Sequence, residues 1–153
     1  MASLTEGLPL GKKFVSKGRT IGEGDFTLLT NLTWTTSPIH ADAQYMKSTQ
    51  FGERILAGPC VLSVVVGLSS TSGVQDALWD GKHRLVALLG FEDVRFLSPV
   101  LPGDTLTVES AIVDARPTKK ANRGVLRIKD VARNQKGQVV MEGVRAELFE
   151  VSQ

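Results

Sequence analysis

Between Gly58 and Leu68 runs Gly-Pro-Cys-Val-Leu-Ser-Val-Val-Val-Gly-Leu, in which Ser63 carries the only hydroxyl. Four valines make the segment a passable strand by intrinsic propensity. Its flanks favour a helix. Gly58 suits an N-cap, Pro59 suits the first helical position, where no amide donor is missed, and the run has helix length. A helix that is apolar all round has to be buried all round. The rest of the chain must therefore wrap it, and that requirement limits the fold more than any other feature.

The wrapping material is visible downstream. Residues 84–151 alternate apolar and polar side chains with period two, the signature of strands with one buried face. Arg84 to Val94 contains Leu85-Val86-Ala87-Leu88-Leu89, an uninterrupted apolar run that predicts a strand buried on both faces. Thr105 to Asp114, Arg123 to Asn134 and Val139 to Val151 alternate cleanly. Prolines and a Gly-Asp pair in Phe96-Leu97-Ser98-Pro99-Val100-Leu101-Pro102-Gly103-Asp104 mark a turn, as does Asn134-Gln135-Lys136-Gly137. Upstream, Phe14 to Ile21 supplies one more strand. Asp25 is positioned to cap a short helix through Leu32, and Asp42 a helical turn through Lys47. The pattern predicts an α+β chain: an antiparallel sheet of about five strands around one buried helix.

Composition removes several functions. The 153 residues suit one domain, 1–153. A balance of 18 basic and 16 acidic residues is too even for nucleic-acid binding. Arg116, Lys119, Lys120, Arg123, Arg127, Lys129 and Arg133 read as solvated faces, with a few available to an anionic ligand. Cys60, the only cysteine, excludes an internal disulfide and a cysteine-rich metal site; inside the apolar run it reads as a small core residue. No stretch approaches the roughly 20 apolar residues of a membrane span. Met1 to Gly11 has no secretory pattern, and Val151-Ser152-Gln153 is not a familiar address signal, so a cytoplasmic location is expected.

Imidazole chemistry has two sources, His40 and His83. His83, in the polar stretch Asp80-Gly81-Lys82-His83-Arg84, reads as an exposed loop residue. His40 lies in Thr35-Thr36-Ser37-Pro38-Ile39-His40-Ala41-Asp42, a loop between two helical turns that the proline restricts. Its surroundings make it the candidate for chemistry.

The run Ser37-Pro38-Ile39-His40-Ala41-Asp42, followed by Phe51-Gly52-Glu53-Arg54-Ile55-Leu56-Ala57-Gly58, resembles the hydratase motif of MaoC-like dehydratases. These are the (R)-specific enoyl-CoA hydratases of the hotdog superfamily. Phe96 to Asp104 is similar to that family's later Phe-x-x-Pro-Val-x-x-Gly-Asp turn, and Arg123-Gly124 and Asn134-Gln135-x-Gly137 fit its last strands.

The resemblance implies a hotdog fold, a homodimer joined at sheet edges, and an acyl-CoA thioester as substrate, with no separate cofactor and no metal. It makes His40 the catalytic histidine and Gly58 the residue whose amide faces the thioester carbonyl. Independently, an imidazole can activate water near neutral pH, and a helix N-terminus offers free amide hydrogens. Ser37, Ile39, Asp42, Arg54, Ala57 and Pro59 fall on the motif positions that would line the substrate, Arg54 being suited to a carboxylate-bearing mesaconyl- or itaconyl-type acyl group. One departure stands out. The family's acid, five positions before the histidine, is replaced by Thr35, with Trp34 for the usual glycine and Ser37 for the usual asparagine. Thr35 and Ser37 are then left to position the water, and Asp25 and Asp42 are the nearest substitute acids. The expected activity is an enoyl-CoA hydratase or dehydratase. The alternatives are a hotdog thioesterase and an acyl-CoA-binding domain without turnover.

Overall fold

The computed structural model describes residues 4–79 and 82–151. Asp80 and Gly81 of the stretch before His83, and Ser152 and Gln153 of the terminal tripeptide, lie outside them. Two short strands, β1 (Lys13–Val15) and β2 (Arg19–Thr20), precede three helices, α1 (Glu23–Leu32), α2 (Pro38–Ala41) and α3 (Ala43–Lys47). The apolar run forms α4 (Gly58–Ser70). Four long strands follow: β3 (His83–Phe96), β4 (Thr105–Pro117), β5 (Arg123–Arg133) and β6 (Val139–Val151).

All strand pairs are antiparallel, in the order β1-β4-β5-β6-β3, with β2 also on β4. Six strands replace the expected five because Phe14–Ile21 breaks. Lys17 and Gly18 leave the ladder while Ser16 keeps it, bonding Val108 through its backbone and its hydroxyl at 2.9 Å each.

The sheet curls around α4, whose Cys60, Val61, Val65 and Leu68 are buried. Beneath them lie Leu106, Val108, Ala132, Val140 and Met141. A second apolar cluster, with Ile112, Leu126, Ile128 and Phe149, occupies the other end of the sheet. Between the two runs a polar belt: Ser69 from α4, Ser110 from β4, Asp130 from β5, and Arg145 and Glu147 from β6, all buried. Ser69 and Ser110 donate to Asp130 at 2.8 and 2.6 Å, and Arg145 donates to Ser69, Asp130 and Glu147.

Two strand expectations need correction. His83 is no exposed loop residue. It opens β3, is 3% exposed and packs its ring 5.9 Å from that of Phe149. β3 is not buried on both faces either. Among the described residues it pairs only with β6, which leaves it at the sheet edge with Val86, Leu88, Leu89 and Phe91 all at least 40% exposed. Apolar composition could not distinguish a central strand from an exposed edge.

The helix starts also shift. α1 begins two residues before Asp25, whose carboxylate reaches back to accept the Gly22 amide at 2.9 Å. Asp42 does cap α3, accepting from Gln44 and Tyr45 amides at 2.8 and 2.9 Å. The expected loop around His40 contains the turn α2, which Pro38 enters at its first position.

Past α1, the Thr35 amide returns to the Thr30 carbonyl at 3.1 Å, and Trp34 sits at φ +58°. That is the left-handed helix terminus at which glycine is normally found. Trp34 is 88% exposed, so packing does little to offset the strain of a side chain there. Trp34→Gly is expected to raise the unfolding free energy by about 1 kcal/mol in urea titration. A destabilised variant would show that the indole contributes to the fold.

Candidate functional site

The turn after β3 is held rigidly. The Leu97 amide bonds the Val140 carbonyl, the Asp104 carboxylate accepts the Leu101 amide at 2.9 Å, and Gly103, at φ +91°, donates to Ile21 at 2.8 Å. The same turn receives the segment before α4, whose Leu56 amide bonds the Val100 carbonyl at 2.9 Å. One residue earlier, Ile55 is tied to α2 twice. Its amide donates to the Ile39 carbonyl at 3.2 Å, and its own carbonyl lies 2.7 Å from His40 Nδ1.

A carbonyl oxygen can only accept, so in the neutral imidazole Nδ1 carries the proton. Nε2 is left with the lone pair. His40 is thereby set up as a base at one defined atom.

His40 and Gly58 line one cavity of about 330 Å³, together with Phe51, Ile55, Leu56, Val61, Phe96, Leu97, Ser98, Pro99 and Val100. The expected cap of α4 moves by one residue: Ala57 is the N-cap, Gly58 the first helical residue and Pro59 the second. As the first residue of the helix, Gly58 has no acceptor for its amide within α4 and sits at the positive end of the dipole. Glycine there also leaves room for Phe96, because a Cβ would lie 2.8 Å from Phe96 Cε2. Gly58→Ala should push the half-exposed Phe96 ring within the cavity. We expect KM to rise about tenfold, the scale of a modest overpacking strain, with stability little changed. Steady-state kinetics on that variant, and on one that also carries Phe96→Leu to relieve the crowding, checks it.

The remaining expected site residues stand elsewhere. Thr35 is absent from the cavity wall; its hydroxyl lies 2.8 Å from that of Thr33 and 4.0 Å from Cys60 Sγ. Ser37 is the exposed N-cap of α2. Ile39 serves through its carbonyl, and Ala57 and Pro59 shape the start of α4 without lining the cavity. Asp42 is committed to its cap. Arg54 pairs with Glu23 and lies 5.7 Å over the Phe26 ring, away from the cavity.

Asp25 pairs with Arg19 at 3.1 Å and borders a different cavity, of about 350 Å³, between α1 and α4. Neither substitute acid therefore reaches the wall that carries His40. Sequence reasoning missed Ser98, the only hydroxyl on that wall among the described residues, and Phe96. Both sit in the recognised turn, but nothing in their spacing showed that the turn closes over His40. Among the described residues no group of three or more His, Cys, Asp or Glu side chains is placed to hold a metal ion.

Comparisons with known proteins give the family and the fold. The family model described as "MaoC like domain" matches residues 7–134. The β-methylmalyl-CoA dehydratase of Chloroflexus aurantiacus is 29% identical over 141 residues, which are 92% of this chain and 38% of that protein. The chain thus spans well under half the length of that relative. Among solved structures, a protein titled monoamine oxidase regulatory protein from Archaeoglobus fulgidus superposes with a TM-score of 0.85 at 30% identity, covering 97% of this chain and 94% of its own. A Mycobacterium tuberculosis protein with a double hotdog fold superposes at 0.78 and 19% identity, covering 95% of this chain and 43% of its own. The fold described above is the hotdog fold.

Proposed function

Because the chain belongs to the MaoC-like dehydratase family, we propose that it adds water to, or removes it from, the α,β double bond of a short or branched enoyl-CoA. The observation that carries this reading is the meeting of His40 and Gly58, the first residue of α4, on one cavity wall. The thioester oxygen is to rest on the Gly58 N–H, with the β-carbon toward His40 Nε2. Nε2 takes a proton from water as its oxygen bonds the β-carbon, and the π electrons move onto the thioester oxygen. An amide aimed at that developing charge lowers the barrier. The imidazolium then returns its proton to the α-carbon, and the thioester carbonyl re-forms.

No carboxylate borders the cavity among the described residues, so His40 serves as both base and acid. In this reading Ser98, which lines the cavity, holds the water, the part expected of Thr35 and Ser37. Dehydration is the same path reversed, in keeping with the name of the Chloroflexus relative.

The exposed apolar edge of β3 supports a homodimer joined there, in a cytoplasmic setting where Cys60 stays reduced. Leu89→Glu is expected to shift the protein to monomer in sedimentation velocity. An unchanged mass would refute edge pairing.

The function is tested with the purified protein and crotonyl-CoA. Loss of the enoyl-thioester absorbance without free thiol is expected. Thiol release would instead identify a thioesterase, and tight binding with neither reaction a binding domain.

A further inference from the structure

We propose that the cavity selects acyl groups that are apolar to their far end and excludes those ending in a second carboxylate. The inference rests on the enoyl-thioester reading and narrows it. Apart from His40 and Ser98, the side chains on the wall are apolar: Phe51, Ile55, Val61, Phe96, Leu97 and Val100 among them. No lysine or arginine borders it among the described residues. A carboxylate moved from water to such a wall loses its hydration and finds no cation in exchange.

Two nearby groups fail to compensate. Arg54 adjoins Ile55 in sequence, but its side chain is 15% exposed and held by Glu23 and the Phe26 ring. His40 could pair with a carboxylate only as the imidazolium, and in that form Nε2 has no lone pair with which to activate water. Substrate charge and base function compete for one atom.

The prediction departs from the name of the Chloroflexus relative, since a methylmalyl group carries a free carboxylate. At 29% identity the two chains can share a thioester site and differ at the acyl end.

The test compares kcat/KM for crotonyl-CoA and for mesaconyl-CoA with its free carboxylate distal to the thioester. Crotonyl-CoA is expected to be favoured by at least about 100-fold, a range that unpaired polar groups in a pocket readily reach. Equal or reversed values would overturn the inference. Calorimetric affinities for butyryl-CoA and succinyl-CoA decide it without turnover. A markedly tighter butyryl ester supports it, and equal affinities overturn it, even if failure to hydrate crotonyl-CoA has removed the hydratase reading. Leu97→Arg, at a half-exposed wall position, should raise relative succinyl-CoA affinity about tenfold or more. Arg54→Gln should leave the ratio unchanged, and a fall in succinyl-CoA affinity on that change would show that Arg54 reaches the acyl group.

Discussion

Replacing Arg145 by alanine is expected to cost about 3–5 kcal/mol of stability. Arg145 is 1% exposed and donates to Asp130, Glu147 and Ser69 in the belt between the two apolar clusters. Without it, two buried carboxylates face each other with no cation. Burial already raises the carboxyl groups of both Asp130 and Glu147 above their ordinary ranges, against the opposing pull of Arg145. A carboxyl whose folded value is raised binds its proton more tightly in the native state. Its contribution is therefore intact below the unfolded value and is lost as pH rises through the folded one.

Removing the guanidinium raises both values further, so the Arg145→Ala deficit should be largest at neutral pH and shrink on acidification. Urea titration at a series of pH values checks both statements. A deficit under 1 kcal/mol at neutral pH, or one that grows with acid, would contradict the charge arrangement. Joint replacement of Arg145, Asp130 and Glu147 by apolar residues of similar volume should be far milder, because no charge is left uncompensated.

Much of this architecture was legible in the residues. The apolar run formed the helix its flanks predicted, although it is not buried all round, since Pro59, Ser63 and Gly67 leave one stripe exposed, and the alternation in β4, β5 and β6 gave strands with one inward face. Asn134 to Gly137 gave the hairpin, with Gly137 at φ +76° and its amide on the Asn134 carbonyl. Three things were not legible, each for a physical reason. The exposure of β3 depends on what pairs with its free edge, and the same valines and leucines would serve a central strand. The burial of His83 depends on the register that sets it beside Val151 and Phe149, a contact between distant segments. The belt was hidden because Asp130, Arg145 and Glu147 look like ordinary charged strand residues until their inward faces are brought together.

The site was legible through its motif and not through its walls. His40 and Gly58, eighteen positions apart, meet because Ile55 is bonded to α2 and Leu56 to the turn after β3. Those are backbone bonds, and side-chain identity does not encode them. Thr35 shows the converse. The resemblance puts it where an acid is expected, yet its hydroxyl is paired with Thr33 beside Cys60.

His40→Ala is the second large effect. A positioned acid–base group is worth about 10²–10⁴ in rate, and on the proposed path His40 handles both proton transfers with no second acid or base among the described wall residues. Ground-state binding should survive, since the apolar lining and the Gly58 amide are untouched. The lost Nδ1 bond to Ile55 is a single neutral hydrogen bond, worth about 1 kcal/mol, so the variant should remain folded.

The decisive measurement is therefore crotonyl-CoA hydration by wild type and His40→Ala, with Kd for butyryl-CoA determined on both. The expected result is a wild type that forms the 3-hydroxyacyl-CoA, and a variant at least about 100-fold slower in kcat with Kd within a few-fold. Equal rates in the two proteins would contradict the assignment of His40 as the group that moves the proton.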